Sequence, residues 1–100
     1  MSNCFIVKNG TIITAPKNTA LLGGITRELV LKLAKENGLP TQERDIHKDE
    51  LFAADEVWMT SSNKEIRPVV TIDGHAIADA NAGPLWHEIQ RYYQHFKASY

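Results

Sequence analysis

The chain has 100 residues, of which 43% are hydrophobic, and a formal net charge of −1. These values fit one domain with a modest core, and they exclude a disordered chain and a polybasic nucleic-acid-binding surface. No apolar run is long enough to cross a membrane, and the N-terminus lacks a signal-peptide pattern. Cys4 is the only cysteine, which excludes an internal disulfide and favours a reducing compartment. We therefore expect residues 1–100 to form a single cytoplasmic domain.

The first two strands are predicted on either side of Asn9-Gly10. Residues 4–8 and 11–14 are rich in β-forming side chains. The Asn-Gly pair favours a type I′ turn, because both central residues of that turn need a positive φ. The pattern predicts a β-hairpin, followed by a loop over residues 15–21.

Residues 26–37 carry a helical pattern. Thr26 stands where an N-cap belongs, and Asn37-Gly38 followed by Pro40 is a C-terminal stop signal. Apolar side chains spaced four residues apart predict the buried stripe: Leu29 with Leu33, and Val30 with Ala34.

The second half of the chain alternates short elements. Residues 43–46 are predicted to be extended, 47–53 to form a short helix with Leu51 and Phe52 facing inward, and 56–60 to form a strand. A further strand is predicted over 68–72, and Asp73-Gly74 turns the chain into residues 75–77.

Gly83-Pro84 opens the last helix, since proline is favoured in a first helical turn. Its apolar stripe consists of Leu85, Ile89, Tyr92, Tyr93 and Phe96. The predicted order is β-β-α-β-α-β-β-β-α, which indicates an α/β domain with a mixed sheet and flanking helices.

The turn Gly23-Gly24-Ile25-Thr26 is a candidate anion site. Glycine lets the backbone approach a ligand closely. A helix start offers free N–H groups and the positive end of the dipole, and both suit a phosphate. The turn is neither a Gly-x-Gly-x-x-Gly nor a Walker motif, so on its own it is at least as well explained as a plain loop-to-helix junction.

A second polar turn, Thr60-Ser61-Ser62-Asn63, lies at the end of the strand over residues 56–60. Ligands favour the C-terminal ends of strands in α/β sheets, where these hydroxyl and N–H groups would be donors. The same hydroxyls could instead satisfy their own backbone. If both turns close around one phosphate, they form part of a cofactor site.

The other residues with reactive or ligand-binding side chains are better explained by structural roles than by functional ones. Lys64 lies beside Glu65 and is expected to form a solvated ion pair rather than a Schiff base. The histidines lack i,i+3 or i,i+4 spacing, so no metal site is predicted, and His87 and His95 are expected at the surface of the last helix. Cys4 is predicted to be a small core residue. The tryptophans, Trp58 and Trp86, are predicted in the core or at an interface.

Several motifs together resemble the class IV pyridoxal-phosphate-dependent aminotransferases. Asn3-Cys4-Phe5, Ile12-x-Thr14 and residues 22–27, Leu-Gly-Gly-Ile-Thr-Arg, resemble the tail of that family's signature. Residues 53–66 with Pro68-Val69 are similar to the same family, as are Ile72-Asp73-Gly74, Ile77-x-Asp79 and Gly83-Pro84. The Thr-Ser-Ser-x-Lys-Glu run is most similar to the D-amino-acid (D-alanine) aminotransferase branch, and the resemblance covers nearly the whole chain.

The resemblance implies that the chain is the C-terminal part of the family's large domain and binds pyridoxal 5′-phosphate. By position, Ile25 and Thr26 would meet the phosphate through backbone N–H groups and the Thr26 hydroxyl, and Ser61 and Ser62 would complete the phosphate site. Leu22 would lie against one face of the pyridine ring.

The substrate carboxylate would meet backbone amides of Ser62 and Asn63, as in the branched-chain relatives. The family's Schiff-base lysine, the glutamate that holds the pyridine nitrogen, a phosphate-binding arginine and the small domain would all lie before Met1. Residues 79–84 also depart from the family's usual Asp-Gly-Lys-x-Gly-Pro. The resemblance therefore implies no catalytic residue in this chain and no activity for it alone.

For the intact enzyme, the resemblance implies a homodimer that transfers an amino group between a D-amino acid and a 2-oxo acid. An aminodeoxychorismate lyase and a branched-chain aminotransferase share the fold and the cofactor, and both stay open. A non-catalytic module that self-associates through an exposed apolar patch is an alternative of a different class.

Overall fold

The computed structural model of the chain describes residues 3–16, 24–61 and 65–99. Within them the chain forms an α/β fold, as predicted. The strands are β1 (Asn3–Lys8), β2 (Thr11–Thr14), β3 (Thr41–Glu43), β4 (Glu56–Thr60), β5 (Ile66–Val69), β6 (Thr71–Ile72) and β7 (His75–Ala76). The helices are α1 (Ile25–Glu36), α2 (Lys48–Ala53) and α3 (Pro84–Ala98).

The main sheet of the described residues has five strands in the order β3-β2-β1-β4-β5. The β2–β3 pair is parallel, and the β1–β2, β1–β4 and β4–β5 pairs are antiparallel. The prediction of a mixed sheet is confirmed. Within the described part of the chain, strands β6 and β7 pair with each other as a separate antiparallel ribbon.

The β1–β2 hairpin turns at Asn9-Gly10, as the sequence predicts. The two residues have φ of 51° and 78°, which are the positive values that a type I′ turn requires. The turn sets a register in which Phe5 pairs with Thr14 and Lys8 with Thr11.

Side chains alternate between two buried faces of the sheet because the strand period is two residues. One face packs against α1 and α3, and the other packs against Ala54 and Ile77. The helix-covered face carries Phe5, Val7, Ile12, Trp58 and Ile66, together with Val30, Leu31, Leu33, Ala34, Ile89 and Tyr93 from the helices. The opposite face carries Ile6, Ile13 and Val57.

Helix α1 begins one residue earlier than predicted, and its N-cap is Gly24 rather than Thr26. Gly24 has extended backbone angles, φ −68° and ψ 142°, and no side chain caps the helix. Thr26 is therefore the second helical residue, and it is buried at 4% exposure. The prediction of Thr26 as the N-cap was wrong, whereas the stop at Asn37-Gly38 is confirmed, with Gly38 at φ 74°.

Three other predictions, for two strands and for the side chain of Phe52, were wrong. The extended segment lies at Thr41–Glu43 rather than at 43–46, because pairing with β2 fixes its position. The predicted strand over 68–72 is divided between β5 and β6, since the chain leaves the main sheet after Val69 and Thr71 pairs with Ala76. Phe52 is 36% exposed and does not face inward.

Helix α3 is tied to the sheet by the buried carboxylate of Glu56 in β4. Oε2 accepts a hydrogen bond from the N–H of Leu85 (3.0 Å), and Oε1 accepts from the N–H of Trp86 (2.8 Å) and from Trp58 Nε1 (2.9 Å). The contacts with Leu85 and Trp86 satisfy backbone N–H groups of the first helical turn. They also place the carboxylate at the positive end of the helix dipole. The helix begins at Pro84, directly after its N-cap Gly83, and its predicted apolar stripe packs on the core.

Candidate anion-binding site

The start of helix α1 lies against the first residue of strand β1. A Cβ added to Gly24 would stand only 2.8 Å from Nδ2 of Asn3. The Asn3 side chain therefore projects from the sheet toward the helix N-terminus, on the face that α1 covers.

Asn3 in turn connects this helix start to the end of strand β4. It pairs with Thr60, the last residue of β4, in the antiparallel β1–β4 register. Directly opposed residues in such a pair have Cβ atoms roughly 4.5–5.5 Å apart, on the same face of the sheet. Ser61, which continues from Thr60, thus begins at the same end of the sheet as the first turn of α1.

The first turn of α1 offers donors at this place. Its first helical hydrogen bond runs from the N–H of Glu28 to the carbonyl of Gly24, at 3.1 Å. The amides of Ile25, Thr26 and Arg27 therefore lie before the helical ladder, where an α-helix leaves its N–H groups for caps or ligands.

The hydroxyl of Thr60 is a buried polar group without a hydrogen-bond partner in the described part of the chain. The residue is 1% exposed, and its Oγ1 has no partner. A buried polar group left unsatisfied costs about 1–3 kcal/mol. Because Thr60 shares a sheet face with Asn3, this hydroxyl lies on the side of the sheet that the α1 start covers. A ligand with oxygen acceptors at this end of the sheet would satisfy it, so the residues present fit a phosphate.

The predicted site residues are only partly within the described chain. Ile25 has its side chain 78% exposed, so its backbone is the part that could meet an anion, while Thr26 is buried. Ser61 is half-buried at the end of β4. Leu22, Ser62 and Asn63 lie outside the described residues, as does Lys64.

Sequence reasoning did not assign Asn3 to the site, and it named Thr60 in the second polar turn without identifying its hydroxyl as a buried donor. Asn3 served only as part of a family motif. The alternation of strand side chains was the available signal, because it places Thr60 on the same face as Trp58, which packs beneath the helices.

A cavity of about 320 Å³ adjoins Asn3. It is lined by Asn3, Cys4, Thr14, Ala15, Pro16, Ile46 and Leu51. Cys4 is only partly buried, so it is less enclosed than the predicted core position, and burial raises the pKa of its thiol. The thiol is therefore protonated and weakly reactive at neutral pH.

Other residues singled out in the sequence are structural. Trp58 is fully buried, and Trp86 donates from Nε1 to the carbonyl of Ile66 at 3.1 Å. His87 and His95 are exposed on α3, as predicted. Among residues 3–16, 24–61 and 65–99, no group of three or more His, Cys, Asp or Glu side chains could hold a metal ion. None of the described helices combines the length and the apolar character needed to cross a membrane.

The chain folds as an α/β domain with a mixed sheet, and the N-terminus of helix α1 lies at the same end of the sheet as the last residue of strand β4. Residues 1–72 match the family model for amino-transferase class IV. The chain belongs to the class IV aminotransferase family.

Relatives and solved structures agree with this assignment. The chain is 46% identical over 89 residues to a D-alanine aminotransferase of Bacillus licheniformis, covering 89% of this chain and 31% of the relative. It matches the structure of a branched-chain amino acid aminotransferase from Escherichia coli with a TM-score of 0.83 and 39% identity, covering 90% of this chain and 30% of that one. It also matches an aminotransferase from Brucella abortus bound to the cofactor PLP, with a TM-score of 0.85 and 27% identity, over 96% of this chain and 33% of that one.

The chain spans about a third of the length of the curated relatives it matches. The resemblance to part of a class IV aminotransferase, inferred from the sequence motifs, is confirmed.

Proposed function

We propose that this chain provides the cofactor-phosphate anchor of a pyridoxal 5′-phosphate-dependent transaminase. The observation that carries the proposal is that Asn3 lies against the α1 start and pairs with Thr60, whose buried hydroxyl has no hydrogen-bond partner among the described residues. In this proposal, a phosphate at this end of the sheet accepts hydrogen bonds from both the α1 start and the Thr60 hydroxyl. The Brucella abortus enzyme bound to PLP supports the choice of cofactor.

In this proposal the phosphate is held mainly by groups that do not titrate. The backbone N–H groups of Ile25 and Thr26 donate to it, and the Thr26 hydroxyl adds a further donor. Ser61 and Ser62 approach from the strand end. The α1 dipole favours the negative charge at this position, and Leu22 lies against the ring of the cofactor.

When bound, pyridoxal phosphate supplies an electron sink for the carbanion formed at the substrate's α-carbon. In this proposal the chain itself holds and orients the cofactor. Backbone amides of Ser62 and Asn63 are assigned to the substrate carboxylate by the family resemblance, whereas none of the assigned residues is a base that could take the α-proton. We expect the chain alone to bind the phosphate group and to catalyse no transamination.

The intact enzyme is proposed to transfer an amino group between a D-amino acid and a 2-oxo acid, as a cytoplasmic homodimer. The 46% identity to the Bacillus licheniformis D-alanine aminotransferase supports this substrate. Branched-chain amino acids are the second candidate, favoured by the match to the Escherichia coli structure. Comparing the kcat/KM of the intact enzyme for D-alanine and for L-leucine, with 2-oxoglutarate as acceptor, separates the two.

The anchor is tested by NMR titration of the isotopically labelled chain. Pyridoxamine 5′-phosphate is the probe, since it lacks the aldehyde that reacts with surface lysines, and pyridoxamine is its phosphate-free control. The phosphorylated probe is expected to shift the amide signals of Ile25, Thr26 and Ser61, and pyridoxamine is expected to leave them in place. Unmoved signals at these residues, or equal shifts with both probes, would overturn the proposal.

A matched pair of variants sharpens this experiment. Thr26→Val removes the hydroxyl assigned to the phosphate, whereas Thr71→Val makes the same change at an exposed position in β6. The affinity for pyridoxamine 5′-phosphate is expected to fall only in the first variant.

A further inference from the structure

Arg27, the third residue of α1, is almost completely buried, with 2% of its side chain exposed. Among the described residues, its guanidinium reaches three places. Nη2 donates a hydrogen bond to the carbonyl of Ala15 at 2.7 Å and lies 3.4 Å from Oε2 of Glu43, and Nη1 donates to Oε1 of Glu28 at 3.2 Å. A buried guanidinium with this many contacts fixes the backbone around it, because breaking them would leave a buried charge unpaired.

The bond to Ala15 joins the two ends of one connection. Ala15 follows the last residue of β2, and Arg27 lies in the first turn of α1. The side chain of Arg27 therefore closes the connection that contains the glycine turn. The carbonyl of Ala15 is thereby held at a fixed distance from the helix start.

The bond to Ala15 is stronger than the contact with Glu43. The Glu43 side chain is 43% exposed, so solvent screens that ion pair. The bond to Ala15 is short and charge-assisted, and its donor is shielded from water. The planar fork of arginine can make several such contacts at once, whereas a lysine ammonium is a single point of charge.

We propose that Arg27 is the positioning residue of the phosphate anchor. Its guanidinium holds the first turn of α1 against the end of β2, and so fixes the amides of Ile25 and Thr26 at the position where they meet the phosphate. Arg27 itself does not touch the ligand. This inference rests on the function proposed above.

Three variants test it, each titrated with pyridoxamine 5′-phosphate and followed through the amide signals of Ile25 and Thr26. Arg27→Met removes every polar contact at similar length. Arg27→Lys keeps the positive charge and is long enough to keep one of the hydrogen bonds, but it lacks the guanidinium fork. Glu43→Gln is the matched control, because it weakens the exposed ion pair and leaves the bond to Ala15 in place.

Arg27→Met is expected to weaken the binding of pyridoxamine 5′-phosphate about tenfold. The figure is the lower end of the loss in metal affinity seen when a residue that orients a metal ligand is removed. Arg27→Lys should recover part of that loss, and Glu43→Gln should bind like the parent chain. Before any ligand is added, the Ile25 and Thr26 amide signals of Arg27→Met should move, while that of Ile89 in α3 stays.

A folded Arg27→Met chain with parental affinity and unmoved Ile25 and Thr26 signals would overturn the inference. If Arg27→Met does not fold, Arg27→Lys decides, since parental affinity in that variant contradicts the need for the guanidinium fork. Absence of binding by the parent chain is a separate outcome: it refutes the proposed function, and the inference with it.

Discussion

A Cβ placed on Gly83 would stand 2.1 Å from Cδ of Glu56. The N-cap of α3 therefore lies directly against the carboxylate that caps the same helix from strand β4. Gly83 has φ −85° and ψ 170°, which any residue can adopt, so space rather than backbone strain requires glycine here. The relationship makes the junction between β4 and α3 sensitive to a single methyl group.

Gly83→Ala is expected to destabilise the chain by about 1–3 kcal/mol, the usual cost of overpacking. The measurement is the free energy of unfolding in urea. The same substitution in a Glu56→Ala background is the control, because the shorter side chain leaves room for the methyl group. Equal losses in the two backgrounds would contradict the clash and point to a backbone effect.

Glu56→Gln is expected to lower the free energy of unfolding by about 1–3 kcal/mol. Among the described residues, the three hydrogen-bond partners of the carboxylate are all N–H donors. Glutamine has one acceptor oxygen, and its NH₂ group would face a donor. Glu65→Gln is the matched control, since the ion pair of Glu65 with Arg67 is exposed and is expected to contribute less than about 1 kcal/mol. A loss in Glu56→Gln no larger than in Glu65→Gln would refute the capping role.

Local signals in the sequence predicted the elements that depend on local chemistry. The β1–β2 hairpin follows from the positive φ that Asn9-Gly10 accepts, and the start of α3 follows from Gly83-Pro84. The division between β5 and β6 has no comparable local signal. It arises because Val69 pairs with Val57 in the main sheet while Thr71 pairs with Ala76, and such pairing belongs to the tertiary structure.

The candidate site was predictable to the same extent. Family motifs assign the α1 start and the turn after β4 to one phosphate site. They included Thr60 and Arg27 but gave neither residue a role, because a buried hydroxyl without a partner among the described residues and a buried guanidinium are properties of packing. The N-cap prediction failed for a related reason: Gly24 takes the cap position against Asn3, and Thr26 moves into the helix.

The ion pair between Arg44 and Glu50 gives the chain a pH-dependent contact. Arg44 Nη1 donates to Oε2 of Glu50 at 2.8 Å, and this hydrogen bond is the main reason that the pKa of Glu50 is lowered. A carboxyl with a lowered pKa in the folded state stabilises that state above its unfolded pKa. The contribution is lost as the pH falls through the folded pKa.

Glu50→Gln is accordingly expected to lower the melting temperature at pH 7, and to have no such effect at a pH well below the ordinary glutamate pKa of about 4.3. Thermal unfolding followed by circular dichroism at both pH values checks this. Asp49→Asn is the neighbouring control, an exposed acid on the same short helix. A Glu50→Gln deficit that persists unchanged in acid would exclude the ionised carboxylate as its cause.

Thr60→Val is expected to separate ligand binding from stability. Valine has the shape of threonine and favours strands, and the hydroxyl it replaces is buried without a partner in the described chain. Removing that hydroxyl should leave the free energy of unfolding unchanged or raise it, because replacing an unsatisfied polar group relieves a desolvation cost. The affinity for pyridoxamine 5′-phosphate should nevertheless fall, since the proposed anchor loses a donor.

Thr14→Val is the matched control, because Thr14 is equally buried and its hydroxyl donates to the carbonyl of Cys4 at 2.7 Å. Losing that bond is expected to cost about 1 kcal/mol, with no effect on ligand affinity. The two substitutions are therefore expected to have opposite effects. The Thr60 variant keeps its stability and loses binding, and the Thr14 variant loses stability and keeps binding. Unchanged affinity in Thr60→Val would remove this hydroxyl from the phosphate site, because nothing else in the substitution would compensate for a lost donor.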